Sequence, residues 1–182
     1  MAFNINEFKS QGLIGGGARP SLFDVSLTLP DAVHRSGDAR DKIVFTCRAT
    51  SIPIATLEAV DVPYFGRKIK LAGDRTFPDW SVTIMNDEDY IVRNAMEEWS
   101  ASMNSVVTNL RKIDDTGYKT DAIVTSYGKA GNMINIYKFI GIFPTSVDAM
   151  DMDWDSTNAI QTFGVNFAYD YWTNQSSTDN QE

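Results

Sequence analysis

The sequence is short of the residues that carry chemistry. Its 182 residues include one cysteine and one histidine. A lone Cys47 excludes an intrachain disulfide and gives no sign of an oxidising compartment. One cysteine and one histidine cannot close a zinc site. Any Ser-His-Asp or Cys-His arrangement would have to use His34, which sits in a polar stretch beside Arg35 and Gly37 with no orienting partner in the pattern. No run approaches the ~20 apolar residues of a membrane helix. The start, MAFNINEFKSQG, has no basic residues leading into an apolar run, so no signal peptide is expected. These absences point to a protein made and used in water, in a cytoplasm.

Basic charge is scarce too. Lys and Arg number 16 against 24 Asp and Glu, a net charge of −8. Proteins that grip nucleic acid by its phosphates carry a basic patch. Here the densest basic run, Arg67-Lys68 with Lys70, alternates along a predicted strand. Specific nucleic-acid binding is therefore disfavoured, although passage of DNA nearby is compatible. Gly15-Gly16-Gly17 lacks the Lys and the preceding strand of a phosphate loop. It is expected to be a hinge in a flexible arm over residues 1–20, which ends at Arg19-Pro20. No cofactor is implied.

What is abundant is alternation. Phe23, Val25, Leu27 and Leu29 give a period of two that Pro30 closes, ahead of a polar loop at 30–41. Ile43, Phe45, Cys47 and Ala49 predict a second strand, with Cys47 as a buried small hydrophobe. Strands are also expected over 54–62, 64–71 and 80–85, with Ala72-Gly73-Asp74-Arg75 turning the chain before the last. The period then changes. Val92, Met96, Trp99, Met103, Val106 and Leu110 form the stripe of an amphipathic helix over about 87–110, with Asn86-Asp87-Glu88-Asp89 as the capping candidate. Residues 121–127 and 134–143 are predicted strands, the second apolar on both faces and so central. A strand over 163–171 follows, built on Phe163, Val165, Phe167, Tyr169 and Tyr171.

Between these last strands lies an acidic loop, 144–158. Asp151-x-Asp153-x-Asp155 opens like a calcium loop, but Ser156 and Thr162 stand where Gly and Glu are required, which excludes an EF-hand. A solvated loop is the better reading, with no metal ligand assigned. Paired carboxylates for glycoside hydrolysis are neither favoured nor excluded by spacing. The tail 173–182, TNQSSTDNQE, has no apolar payload and is expected to be disordered. The whole is predicted to be mainly β: an antiparallel sandwich or partly closed barrel over residues 21–172, with one flanking helix.

Several long strings resemble a known family, the tail tube proteins of contractile-tailed bacteriophages. They are FKSQGLIGGGARPSLFDV, VPYFGRKIKLAGDRTFPDW, NDEDYIVRNAMEEWSASMNSV and FPTSVDAMDMDWDSTNAIQTFGVNFAYDYW, and the resemblance covers nearly the whole chain. It implies a structural virion protein, not an enzyme. It implies hexameric rings stacked into the tube of a phage tail, with sheets of neighbouring subunits joined around a lumen. The implied partners are other copies of the chain, a tail sheath protein, a tape-measure protein, and baseplate and tail-terminator proteins. Phage DNA is expected only in transit, and no membrane is involved. Assembly contacts are expected at Gly15, Gly16, Gly17, Arg19, His34, Arg35, Asp151, Asp153 and Asp155. Glu58 and Asp61 are expected to face a neutral-to-acidic lumen. The ring protein of type VI secretion and a baseplate tube initiator share the general fold and stay open as alternatives. So does a carbohydrate-binding β-sandwich, which would need an exposed aromatic platform.

Overall fold

A computed structural model describes residues 5–13, 16–111 and 117–175. Nine strands and two long helices make up most of it. The strands are β1 (Phe23–Leu27), β2 (Cys47–Thr50), β3 (Thr56–Tyr64), β4 (Arg67–Thr76) and β5 (Trp80–Met85). They continue with β6 (Thr120–Tyr127), β7 (Met133–Val147), β8 (Thr162–Ala168) and β9 (Tyr171–Asn174). The helices are α1 (Ser36–Thr46) and α2 (Ile91–Met103). A short helical turn over residues 5–12 precedes them.

Seven strands form one antiparallel sheet, six of them in the order β1-β6-β7-β8-β5-β2 and the seventh, β9, paired to β7 beside this path. The long strand β7 is its spine. One edge of β7 pairs with β6, and the other pairs with β9 opposite Tyr137–Ile140 and then with β8 opposite Phe143–Val147. Central placement explains why β7 is apolar on both faces. The sheet ends at β1 and β2 and does not close into a barrel. The other two strands, β3 and β4, pair only with each other.

The core lies where the curled sheet meets α2. Trp80 of β5 stacks on Phe139 of β7 at 4.5 Å, and Phe167 of β8 lies against Trp80 and Trp99. Val92, Met96 and Trp99 supply the buried stripe of α2. Each such side chain contributes roughly 1.5–3 kcal/mol by leaving water. The indoles bury without stranding their N–H groups: Trp80 donates to Thr50 Oγ1 at 2.8 Å and Trp99 to the Tyr118 carbonyl at 3.0 Å.

Several expectations are corrected here. Residues 36–46, expected to be loop and then strand, form helix α1. Only Ala39 and Ile43, four apart, are buried there, whereas Phe45 is exposed, so the apparent alternation at 43–49 was a helical pair. Cys47 begins the strand that remains and packs against the core. Helix α2 is shorter than predicted. Asn104 leaves helical geometry, and Val106 and Leu110, the last members of the stripe, are exposed. Its N-cap is Tyr90 in a left-handed conformation, without a side-chain cap. Asp87 and Asp89 are instead taken by Lys42 of α1, and the hydrogen bond from Lys42 holds the Asp87 carboxyl below its usual range. The supposed turn Ala72–Arg75 is strand β4. Gly73 is needed there because a Cβ would lie 2.9 Å from Val60 and 3.0 Å from the Glu58 carbonyl, next to the register shift between Leu57 and Ala59. The last strand is broken at Tyr169-Asp170 into β8 and β9, and β9 carries pairing on to Asn174.

Candidate assembly interface

Three exposed features stand apart from the packed body: a hairpin, two open sheet edges and an acidic loop. The hairpin is the largest. Every residue of β3 is exposed, and so is every residue of β4 except half-buried Gly73. Its register sorts the side chains. Val60 lies opposite Leu71, Val62 opposite Ile69, and Tyr64 opposite Arg67, so these share one face. Asp61 lies opposite Lys70 and Pro63 opposite Lys68 on the other face. One face is therefore apolar and the other charged, with Lys68 reaching Asp61 at 3.5 Å. Such a two-stranded hairpin is marginal in water by itself. Nothing in the described chain covers its apolar face.

The hairpin closes in a two-residue turn, Phe65-Gly66, both with positive φ (43° and 77°). Two left-handed residues suit the right-handed twist of a hairpin, and Asn or Gly normally supplies the first. Here it is Phe65, whose ring meets the edge of Tyr64 at 4.7 Å.

The open edges are β1 and β2, each paired on one side only. The acidic loop runs from 148 to 161, since residues 144–147 belong to β7. Its stem is tied down at both ends. Arg93 of α2 donates to the Asp148 carbonyl at 2.6 Å, and the Asp148 amide donates to the Gly164 carbonyl. At the far end the Asn86 amide donates to the Gln161 carbonyl, while Asn86 Nδ2 and Tyr90 OH both donate to Gln161 Oε1. Above this stem Met152, Trp154 and Ile160 are exposed, and they help to line a cavity of about 510 Å³.

The residues singled out in the sequence fall in separate places. Gly15 lies outside the described residues. Gly16 and Gly17 both have φ of 81°, and Gly17 borders a cavity beside the β6–β7 turn at Gly128–Asn132. Arg19 is exposed. His34 and Arg35 sit at the start of α1, where the His34 amide donates to Glu98 Oε2 at 2.8 Å and Arg35 pairs with Asp38 at 2.8 Å. Asp151, Asp153 and Asp155 share the acidic loop, and the Asp155 amide donates to Asp153 Oδ1. Glu58 and Asp61 lie on β3 of the hairpin. Sequence reasoning missed the apolar hairpin face, Phe65 and Trp154. Their residue types are ordinary core types, and only their exposure sets them apart.

The fold has clear relatives. The family described as phage tail tube protein matches residues 18–175. This chain belongs to that family. It is 37% identical over 162 residues to tail tube protein gp19 of Enterobacteria phage T4, covering 87% of this chain and 92% of that protein. It is 23% identical over 166 residues to the tail tube protein of Serratia phage KSP90, covering 91% and 93%. Among solved structures, the tube-terminating cap of the anti-feeding prophage aligns with a TM-score of 0.62 at 19% identity, over 87% and 90% of the two chains. A chain of an extracellular contractile injection system, from its extended sheath-tube complex, aligns with a TM-score of 0.56 at 14% identity, over 96% and 99%. These structures share the fold. The tail tube protein is thus a structural component of a contractile phage virion and not an enzyme. Its sheet is antiparallel as the sequence predicted, but open, and it has two long helices rather than one.

Proposed function

We propose that this tail tube protein forms hexameric rings that stack into the inner tube of a contractile tail, the conduit for DNA during delivery. The observation that carries this reading is the uncovered apolar face of the β3–β4 hairpin, Val60, Val62, Tyr64, Ile69 and Leu71. A soluble monomer gains nothing from holding such a face in water, whereas a neighbouring copy that covers it stabilises both partners. The open edges β1 and β2 support the reading in the same way. Unpaired edges are a liability in a monomer, and head-to-tail pairing around a ring removes them.

The partners follow from position in a tail: other copies of this chain, the sheath outside, a tape-measure protein inside before DNA, and baseplate and terminator proteins at the two ends. The structures with a similar fold come from a sheath-tube complex, a tube-terminating cap and a baseplate. Residues 1–20 act as an arm between rings. The lumen is neutral to acidic, since a basic wall would hold DNA by counterion release. Asp61 shares its hairpin face with Lys68 and Lys70, so any wall built from that face carries mixed charge.

Negative-stain microscopy of the purified protein tests the proposal. Hollow rods of uniform width are expected; a chain that stays monomeric at high concentration would refute it.

A further inference from the structure

The β3–β4 hairpin tip and the loop that joins β7 to β8 are complementary in charge and in exposed aromatic surface. We propose that the hairpin turn Tyr64–Lys68 of one copy seats in the cavity beneath loop 148–161 of the next copy. This deepens the self-assembly reading above and rests on it.

Three observations on the turn point to a seat elsewhere. Phe65 is 91% exposed. It also holds a left-handed backbone, which costs a residue other than glycine about 1–2 kcal/mol. Strain and exposure together at a turn that Asn or Gly would make freely mark a residue kept for contact. Beside it, Arg67 brings a cationic side chain to the tip on the Tyr64 face, while Lys68 on the other face reaches Asp61.

The loop has the matching properties. Trp154 is 99% exposed, and Met152 and Ile160 stand beside it around the cavity of about 510 Å³. That volume falls within the ~300–1,000 Å³ range of ligand pockets and accommodates an aromatic side chain with an adjoining guanidinium. Asp151 and Asp153 line the same cavity. Among the described residues no cation pairs with either carboxylate. Phe65 over Trp154 and Met152, with Arg67 on Asp153, is the aromatic-plus-arginine composition typical of interface anchors. The stem of the loop is pinned at Asp148 and Gln161, which shortens the span that must order on binding.

Tip and loop are different surfaces of opposite charge on the same chain, with Arg67 at the one and Asp151 and Asp153 at the other, and this complementarity names a second copy of the chain as the occupant. In a ring each copy offers its tip to one neighbour and its loop to the other, a contact that repeats from copy to copy.

The test is a charge swap read by the critical concentration for rod formation, with far-UV circular dichroism and thermal melts as folding controls. Phe65→Ala and Trp154→Ala should each raise that concentration about tenfold or more, as truncation of an anchor does. Arg67→Glu and Asp153→Arg should each do the same, and the double variant should return most of the way to wild type. Single variants that polymerise like wild type, or a double variant no better than the worse single, would overturn the seating while leaving self-assembly intact. A wild-type chain that forms no rods would overturn both.

Discussion

Gly141 shows how a single position can serve both shape and pairing. It lies in the middle of β7 with φ of 68°, where the register against β6 shifts between Thr120 and Ala122. A Cβ there would collide with the Asp170 carboxylate, which Lys119 holds at 2.7 Å. Its amide donates to Asp121 Oδ1, whose carboxylate also pairs with Lys138 at 3.1 Å. Gly141→Ala should therefore cost about 1–2 kcal/mol from backbone strain alone, and more from the collision, read as a lower urea midpoint with an unchanged slope. The glycine is visible in the sequence, but its reason is not, because Asp170 arrives from the break between β8 and β9, far along the chain.

Two other residues couple the fold to alkaline pH. Burial pushes the Cys47 thiol up to about 12 from an ordinary 9.0. Burial first, and then nearby Asp79, pushes the Tyr169 phenol up to about 12 from 10.0. Both values are raised in the folded state, so the stability they contribute is complete below the ordinary values and is lost as pH climbs towards 12. Thermal midpoints should hold near neutral pH and then fall through this window. The Tyr169 hydroxyl is buried without a hydrogen-bond partner among the described residues. Tyr169→Phe should thus leave neutral-pH stability unchanged or slightly higher and flatten the alkaline fall. A midpoint that drops equally in both proteins would contradict this.

At the scale of elements, legibility followed burial. Strands β5, β6, β7 and β8 and the stripe Val92–Met96–Trp99 were readable because one face of each packs into the core, and burial stamps a period on the sequence. Helix α1 was not readable. It buries only Ala39 and Ile43, too little to leave a stripe, and its β-branched and aromatic end mimics a strand. The hairpin was readable as two strands, but the break between them was placed at Pro63 rather than at Phe65-Gly66, and the second strand was ended early by a turn at Ala72–Arg75. Its exposure was not, since an apolar face looks the same whether its cover is inside the chain or on a neighbour. That difference makes a prediction. Val62→Asp on the exposed face should shift folding stability by only about 0.5 kcal/mol and yet abolish rod formation. Val82→Asp, at a core position of β5, should unfold the domain. Melting curves paired with sedimentation of assembled material separate the two effects.

At the scale of the whole molecule, the protein divides into a packed body and surfaces with nothing on them. The body is self-sufficient: an open sheet, two helices and an aromatic core of Trp80, Trp99, Phe139 and Phe167. The hairpin face, the edges β1 and β2, and the loop around Trp154 are the surfaces that the proposed assembly covers with another copy. The absence of catalytic groups in the sequence already pointed to a structural role. The family resemblance named that role, and the fold shows which surfaces are exposed and uncovered in the single chain. A residue-resolution reconstruction of the assembled rods tests this most directly. The account predicts six copies per ring, with Val60, Val62, Ile69 and Leu71 of every copy buried against a neighbour. Rods in which those side chains still face solvent would contradict it.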